Sequence, residues 1–175
     1  SGSNPSPSAV ALRVDLLQSQ SRPDDLRTLL TSLAGSTDSF ELLDRVRQLA
    51  NTYPMPAVVT LLLRRRIELT HDHVDRMRLK LALMHDLENR DEEAEARRVI
   101  DELYGDEPRI LGVVRGAVDF HWRQKDYNRA FEILDDAAVA SYPGLRESFT
   151  FEAARKATEA KRFADARRRL VVLLT

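Results

Sequence analysis

"KDYNRAFEILDDA", residues 125–137, decides how this chain folds. A polar turn leads to Ala130, then Leu134 four residues on and Ala137 three after that. Intervals of four and three put all three side chains on one face of a helix. The arrangement returns in "DEEAEARRVIDEL" (91–103) as Ala96, Ile100 and Leu103, and in "KRFADARRRLVVL" (161–173) as Ala166, Leu170 and Leu173. The first members of these triplets are separated by steps of 34 and 36. "RPDDLRTLLTSL" (22–33) carries it again as Leu26, Leu30 and Leu33, 70 residues ahead of the Ala96 triplet. Half that interval predicts a degenerate member near Leu61, with Arg65 where an apolar residue belongs.

Outward from these segments the pattern is helical throughout. Alternation of period two is nowhere sustained. The breaks predict ten helices, over about 8–19, 23–34, 38–52, 56–70, 72–88, 91–104, 107–124, 126–141, 144–160 and 162–174. Pro23 and Pro56 fall just inside helix starts, where a missing N–H costs nothing. Gly35, Gly105 and Gly144 lie near helix ends, and Pro54, Pro108 and Pro143 mark breaks. Asp38 with Glu41 reads as a capping pair, and Asp126 as the cap of the helix after it. Joints this short require antiparallel neighbours. The fold class predicted is all-α, in about five helix pairs.

A period near 34 with paired helices resembles the tetratricopeptide repeat (TPR) family. The resemblance rests on small residues in the first helix of a pair (Gly116, Ala117, Ala153, Ala154) and on the alanine opening the second helix (Ala96, Ala130, Ala166). An aromatic precedes that alanine in "DYNRA" and "RFADA", and Pro108 and Pro143 close two repeats. It implies a right-handed α-solenoid, with three more regular repeats over 73–175 and divergent ones over 9–72. Residues 1–8 read as a tag remnant and disordered lead-in. A pair of helices cannot bury its apolar face alone, so it must stack on the next. The last helix ends "RRRLVVLLT" without a polar face, which suggests a longer array or a homo-oligomer through that helix.

The chain has 175 residues and a formal net charge of −1, with no cysteine. Thiolate metal sites and thiol catalysis are excluded. Near-neutral charge gives no overall pull toward nucleic acid. No apolar run approaches a membrane span, and Arg115 and Asp119 argue against reading Gly112-x-x-x-Gly116 as a membrane motif. The basic residues are 23 Arg and 4 Lys. The triple arginines at 64–66 and 167–169 fan around their helices and read as solvated faces.

"IELTHDHVDR" (67–76) carries the one motif with chemistry. His71, His73 and Asp75 resemble the first ligands of metallo-β-lactamase-fold hydrolases, a metal-dependent alternative. Arg76 stands where that signature needs another ligand, and the expected β-sandwich is missing. The competing reading is a helix start capped by Asp72, with Asp75 at the positive end. No Gly-x-Ser-x-Gly elbow or phosphate loop is present. No cofactor is implied.

The TPR resemblance implies a non-enzymatic scaffold that binds a protein or peptide along the first helices. Arg78, His85, Arg115, Asp119, Arg123, Arg155 and Glu159 then face the partner. Their positive bias suits an acidic or polar extended peptide. The carboxylate-clamp subgroup is not matched, because Lys80, Lys125, Lys156 and Lys161 fall outside its pattern. An Arg-rich, Cys-free array further resembles periplasmic scaffolds of polysaccharide export. Cytoplasmic regulators share those features, so the compartment stays open.

Overall fold

The computed structural model describes residues 5–140 and 143–174, with the backbone alone at 143–144 and 172–174. Among the described residues there are ten helices and no strand. They are α1 (Pro7–Ser19), α2 (Pro23–Ser36), α3 (Phe40–Thr52), α4 (Pro56–Leu69) and α5 (His73–Asn89), then α6 (Glu93–Asp106), α7 (Leu111–Arg123), α8 (Tyr127–Ala140), α9 (Pro143–Glu159) and α10 (Phe163–Leu174). Leu173 and the chain end beyond Val171, expected to be apolar and uncapped, lie outside the described side chains. No helix is long and apolar enough to cross a membrane among the described residues.

Each odd-numbered helix turns into the next through three residues, which makes the pairs antiparallel. Four of these turns share one geometry. Ser21, Asp91, Lys125 and Lys161 have φ of 53°, 59°, 58° and 58°. In each, the next residue's N–H reaches back five residues, from Arg22 to Leu17, Glu92 to Leu87, Asp126 to His121 and Arg162 to Ala157, at 2.8–2.9 Å. This is the Schellman closure, which satisfies carbonyls left over at a helix end. The left-handed residues step by 70, 34 and 36, as the triplets do. The glycines behave otherwise. Gly35 and Gly105 fall in the last turns of α2 and α6, and no described glycine has positive φ.

Holding a side chain at positive φ carries a steric cost that glycine avoids. Lys125 is exposed. Lys125→Gly is expected to raise unfolding stability by about 0.5 kcal/mol, readable in urea titrations. Unchanged or lower stability would show that the turn is relaxed as it stands.

The fifth turn, between α3 and α4, explains the degenerate repeat. Pro54 sits in the left-handed position, and its ring forbids positive φ. The corresponding bond, Met55 N–H to Ala50, lengthens to 3.3 Å. This register moves the expected member from Leu61 to Val59, which is half-buried. Val58 and Leu62 enter the core instead, because α4 packs against α2, α3 and α5 together.

Residues to Ala96 and residues from Arg97 form two compact units. The first has a core from Val14, Leu30, Leu43, Val46 and Leu62, contributed by α1 to α4. In the second, α7, α8, α9 and α10 pack in sequence around Ala117, Ile133, Leu134, Ala153 and Ala157. Small residues at 117, 153 and 157 let helix axes approach closely. The triplets of α2, α6 and α8 are buried as expected, and in α10 Ala166 is buried but Leu170 is not. Leu170 is exposed, and Arg169 beside it is buried.

The capping expectations divide. Asp126 accepts from Arg129 N–H at 3.4 Å. For α3 the cap is Ser39, whose hydroxyl accepts from Leu42 N–H at 3.3 Å. Asp38 lies one residue too early and is taken by Arg65 instead.

Candidate partner-binding surface

Several second-helix arginines reach residues outside their own helix. Arg64 pairs with Glu95 of α6 at 2.7 Å, and Arg66 with Asp44 of α3 at 2.8 Å. Arg65 bridges Asp38 and Glu68 and donates to the Thr37 carbonyl at 3.2 Å. Thr60 of α4 accepts from Arg90 and donates to Asp86 of α5. The expectation that 64–66 form a solvated face is therefore corrected. The guanidinium forks of Arg64 and Arg66 reach carboxylates on other helices.

The unit from Arg97 onward repeats this. Arg97 meets Asp126 at 2.8 Å, and that hydrogen bond above all holds the Asp126 carboxyl below its ordinary range. His121 is fully buried, with Nε2 2.9 Å from Asp101 and Nδ1 3.5 Å from Asp126. Arg162 donates to Asn128 at 2.7 Å. Arg169 binds both carboxylate oxygens of Asp135, at 3.1 and 2.5 Å. Both guanidiniums lie over the Phe131 ring, at 4.9 Å for Arg162 and 4.6 Å for Arg169. Arg167 and Arg168 stay exposed, so within the 167–169 run only Arg169 departs from the solvated reading.

Several first-helix charges are exposed. Arg115, Asp119 and Arg123 are exposed and stand four residues apart down one side of α7. Arg155 and Glu159 do the same on α9 and pair at 2.5 Å. Asp119 and Arg155 occupy equivalent places, 36 residues apart, as do Arg123 and Glu159. In the first unit His85 is exposed near Glu88, in the place equivalent to Asp119. Arg78 departs from this register. It pairs with Asp75 at 3.1 Å and lines a cleft of about 490 Å³ with Phe40, Arg66 and Leu79.

Sequence reasoning missed Lys156. Its side chain is buried between α7 and α9, with the ammonium 4.7 Å over the Trp122 ring and 3.4 Å from Asp119. A cation on an aromatic face beside a carboxylate is a stable seat for a desolvated charge. The 34-residue interval between Trp122 and Lys156 was the available signal.

"IELTHDHVDR" is a helix start. Thr70 to Asp72 form the turn, and the Asp72 carboxylate accepts Asp75 N–H at 2.8 Å. Asp75 turns to Arg78. The carboxylates are thus used in capping and pairing, and no group of three or more His, Asp or Glu converges to hold a metal among the described residues.

No family model matches the chain, and no curated protein does. Among solved structures it is similar to a Podosopora anserina chain named as kinesin light chain TPR-like repeats. The TM-score is 0.54 at 12% identity, covering 98% of this chain and 95% of the other. At that identity the likeness speaks for the fold. Helix pairs, three-residue turns, a repeat near 34 and a solved counterpart along nearly the whole length together make this a TPR-like helical-repeat fold.

Proposed function

We propose that this chain is a non-catalytic scaffold that holds an extended acidic or polar peptide segment of a protein partner along the exposed faces of α7 and α9. One observation carries the reading. Arg64, Arg66, Arg97 and Arg169 of the second helices are tied to carboxylates outside their own helix, whereas Arg115, Asp119, Arg123, Arg155 and Glu159 are exposed. Lys156 joins the two helices beneath that surface, so the charges are carried on a braced pair. In the first unit, Arg78 and His85 of α5 are proposed as partner contacts of their own. A place in polysaccharide export rests on the Arg-rich, Cys-free composition alone.

The test is selection from a random-peptide display library. Acidic peptides should be enriched by the native chain. Arg115→Glu/Arg155→Glu should weaken them about 10-fold, since two exposed charge contacts are worth about 1–2 kcal/mol together. Equal binding by the reversed variant would move the site off these helices.

A further inference from the structure

The turn geometry supplies a common register for all five first helices. The carbonyls that close the turns belong to Leu17, Ala50, Leu87, His121 and Ala157. The residues just before them are Leu16, Leu49, Asp86, Phe120 and Lys156. Four of these turn inward. Leu49, Phe120 and Lys156 are buried, and Asp86 accepts from Thr60 of the preceding pair at 2.6 Å. Leu16 is 54% exposed, and Leu12, one turn away, is 76% exposed. Arg13, also exposed, stands where Val46, Leu83, Ala117 and Ala153 are buried. Thus α1 presents to solvent, at Leu16 and Arg13, two places that the later first helices turn inward.

The complement lies on α9 and α10. Leu30, Ile100 and Leu134 are fully buried, but their counterpart Leu170 is 43% exposed. It lines a cleft of about 350 Å³ with Phe151, Ala154, Arg155, Thr158 and Glu159. Those wall residues stand 36 places after Arg115, Val118, Asp119, Trp122 and Arg123. In that earlier repeat, Lys156 of α9 lies over Trp122 and against Asp119. Lys156 is the register equivalent of Leu16. The seat has changed to suit: Thr158 replaces the aromatic that holds a cation, Arg155 replaces the carboxylate, and Phe151 adds apolar surface.

We propose that copies of this chain associate head to tail, with α1 of one molecule seated in the α9/α10 cleft of the next, where it excludes a peptide from Arg155 and Glu159. Leu16 fills the place that Lys156 takes within the chain. Leu12 covers Phe151 and Leu170. A foreign amphipathic helix could enter such a cleft, but the chain already carries the matching stripe in the matching register. Two different faces make the contact heterologous, so it grows with concentration.

Sedimentation velocity across a concentration series tests this. The chain should form a growing series of oligomers. Leu16→Glu and Leu170→Glu should each raise the concentration for association about 100-fold, since a carboxylate is forced into an apolar seat. Mixed in equal amounts, the two variants should form a discrete dimer, because each keeps the face that the other has lost. Circular dichroism and melting should match the native chain, since both sites are exposed; Leu16→Ser and Leu170→Ser are the milder pair should either glutamate perturb folding. A monomer at every concentration overturns the proposal. So does dissociation by Leu170→Glu but not Leu16→Glu, which marks a symmetric α9/α10 contact, or a mixture that stays monomeric.

Discussion

Phe131→Ala is expected to destabilise the unit from Arg97 onward by about 3–5 kcal/mol and to lower its melting temperature by more than about 10 °C. The ring is buried on α8 and does three jobs. It packs edge-on against Trp122, with centroids 5.9 Å apart. It also carries the guanidiniums of Arg162 and Arg169 on its faces. Truncation opens a cavity and removes the surface over which Arg169 is desolvated. Phe131→Leu separates the two effects. It restores most of the volume without the ring quadrupole, so the loss should fall to about 1–2 kcal/mol. Equal losses for the two variants in chemical denaturation would show that the cations gain nothing from the ring.

Asp135→Ala should cost about 2 kcal/mol, because it takes from a buried charge its hydrogen-bonded partner. Arg169 has only 7% of its side chain exposed; Asp135 supplies both of its carboxylate hydrogen bonds, and Asp165 stands farther off, 4.0 Å away. Asp135 itself is 53% exposed, so solvent softens the loss below that of a fully buried pair. The diagnostic variant is the double change Asp135→Ala/Arg169→Met. Removing both charges and keeping an unbranched apolar stem should recover most of the stability. A double variant as unstable as Asp135→Ala would place the cost in packing.

These two sites mark where sequence reading succeeds and where it stops. All ten helices and nearly all their boundaries follow from proline positions, polar turns and apolar intervals of three and four. α7 starts late, at Leu111, because the turn containing Pro108 runs to Ile110. The Asp72 cap was legible because it depends on residues three apart. The choice of Ser39 over Asp38 was not, since both can cap and Arg65, distant in sequence, takes the aspartate. Of the proposed surface, exposure on the first helices was readable from periodicity. Lys156 was not, because its burial depends on Trp122 and Asp119, on a different helix.

The sequence by itself determined the helices, their pairing and the repeat, since each follows from interactions within a few residues or from a pattern copied along the chain. It also determined the Pro54 irregularity, which is a property of one ring. Only the tertiary structure decided the fate of the charges. An arginine enters a helix interface when a carboxylate some 30 residues away repays its lost hydration, as Asp135 does for Arg169. The same dependence on what lies opposite separates Leu134, covered by its neighbours, from Leu170, open at the α9/α10 cleft. Periodicity marks both as core, because it records which face a residue occupies and not what packs against that face.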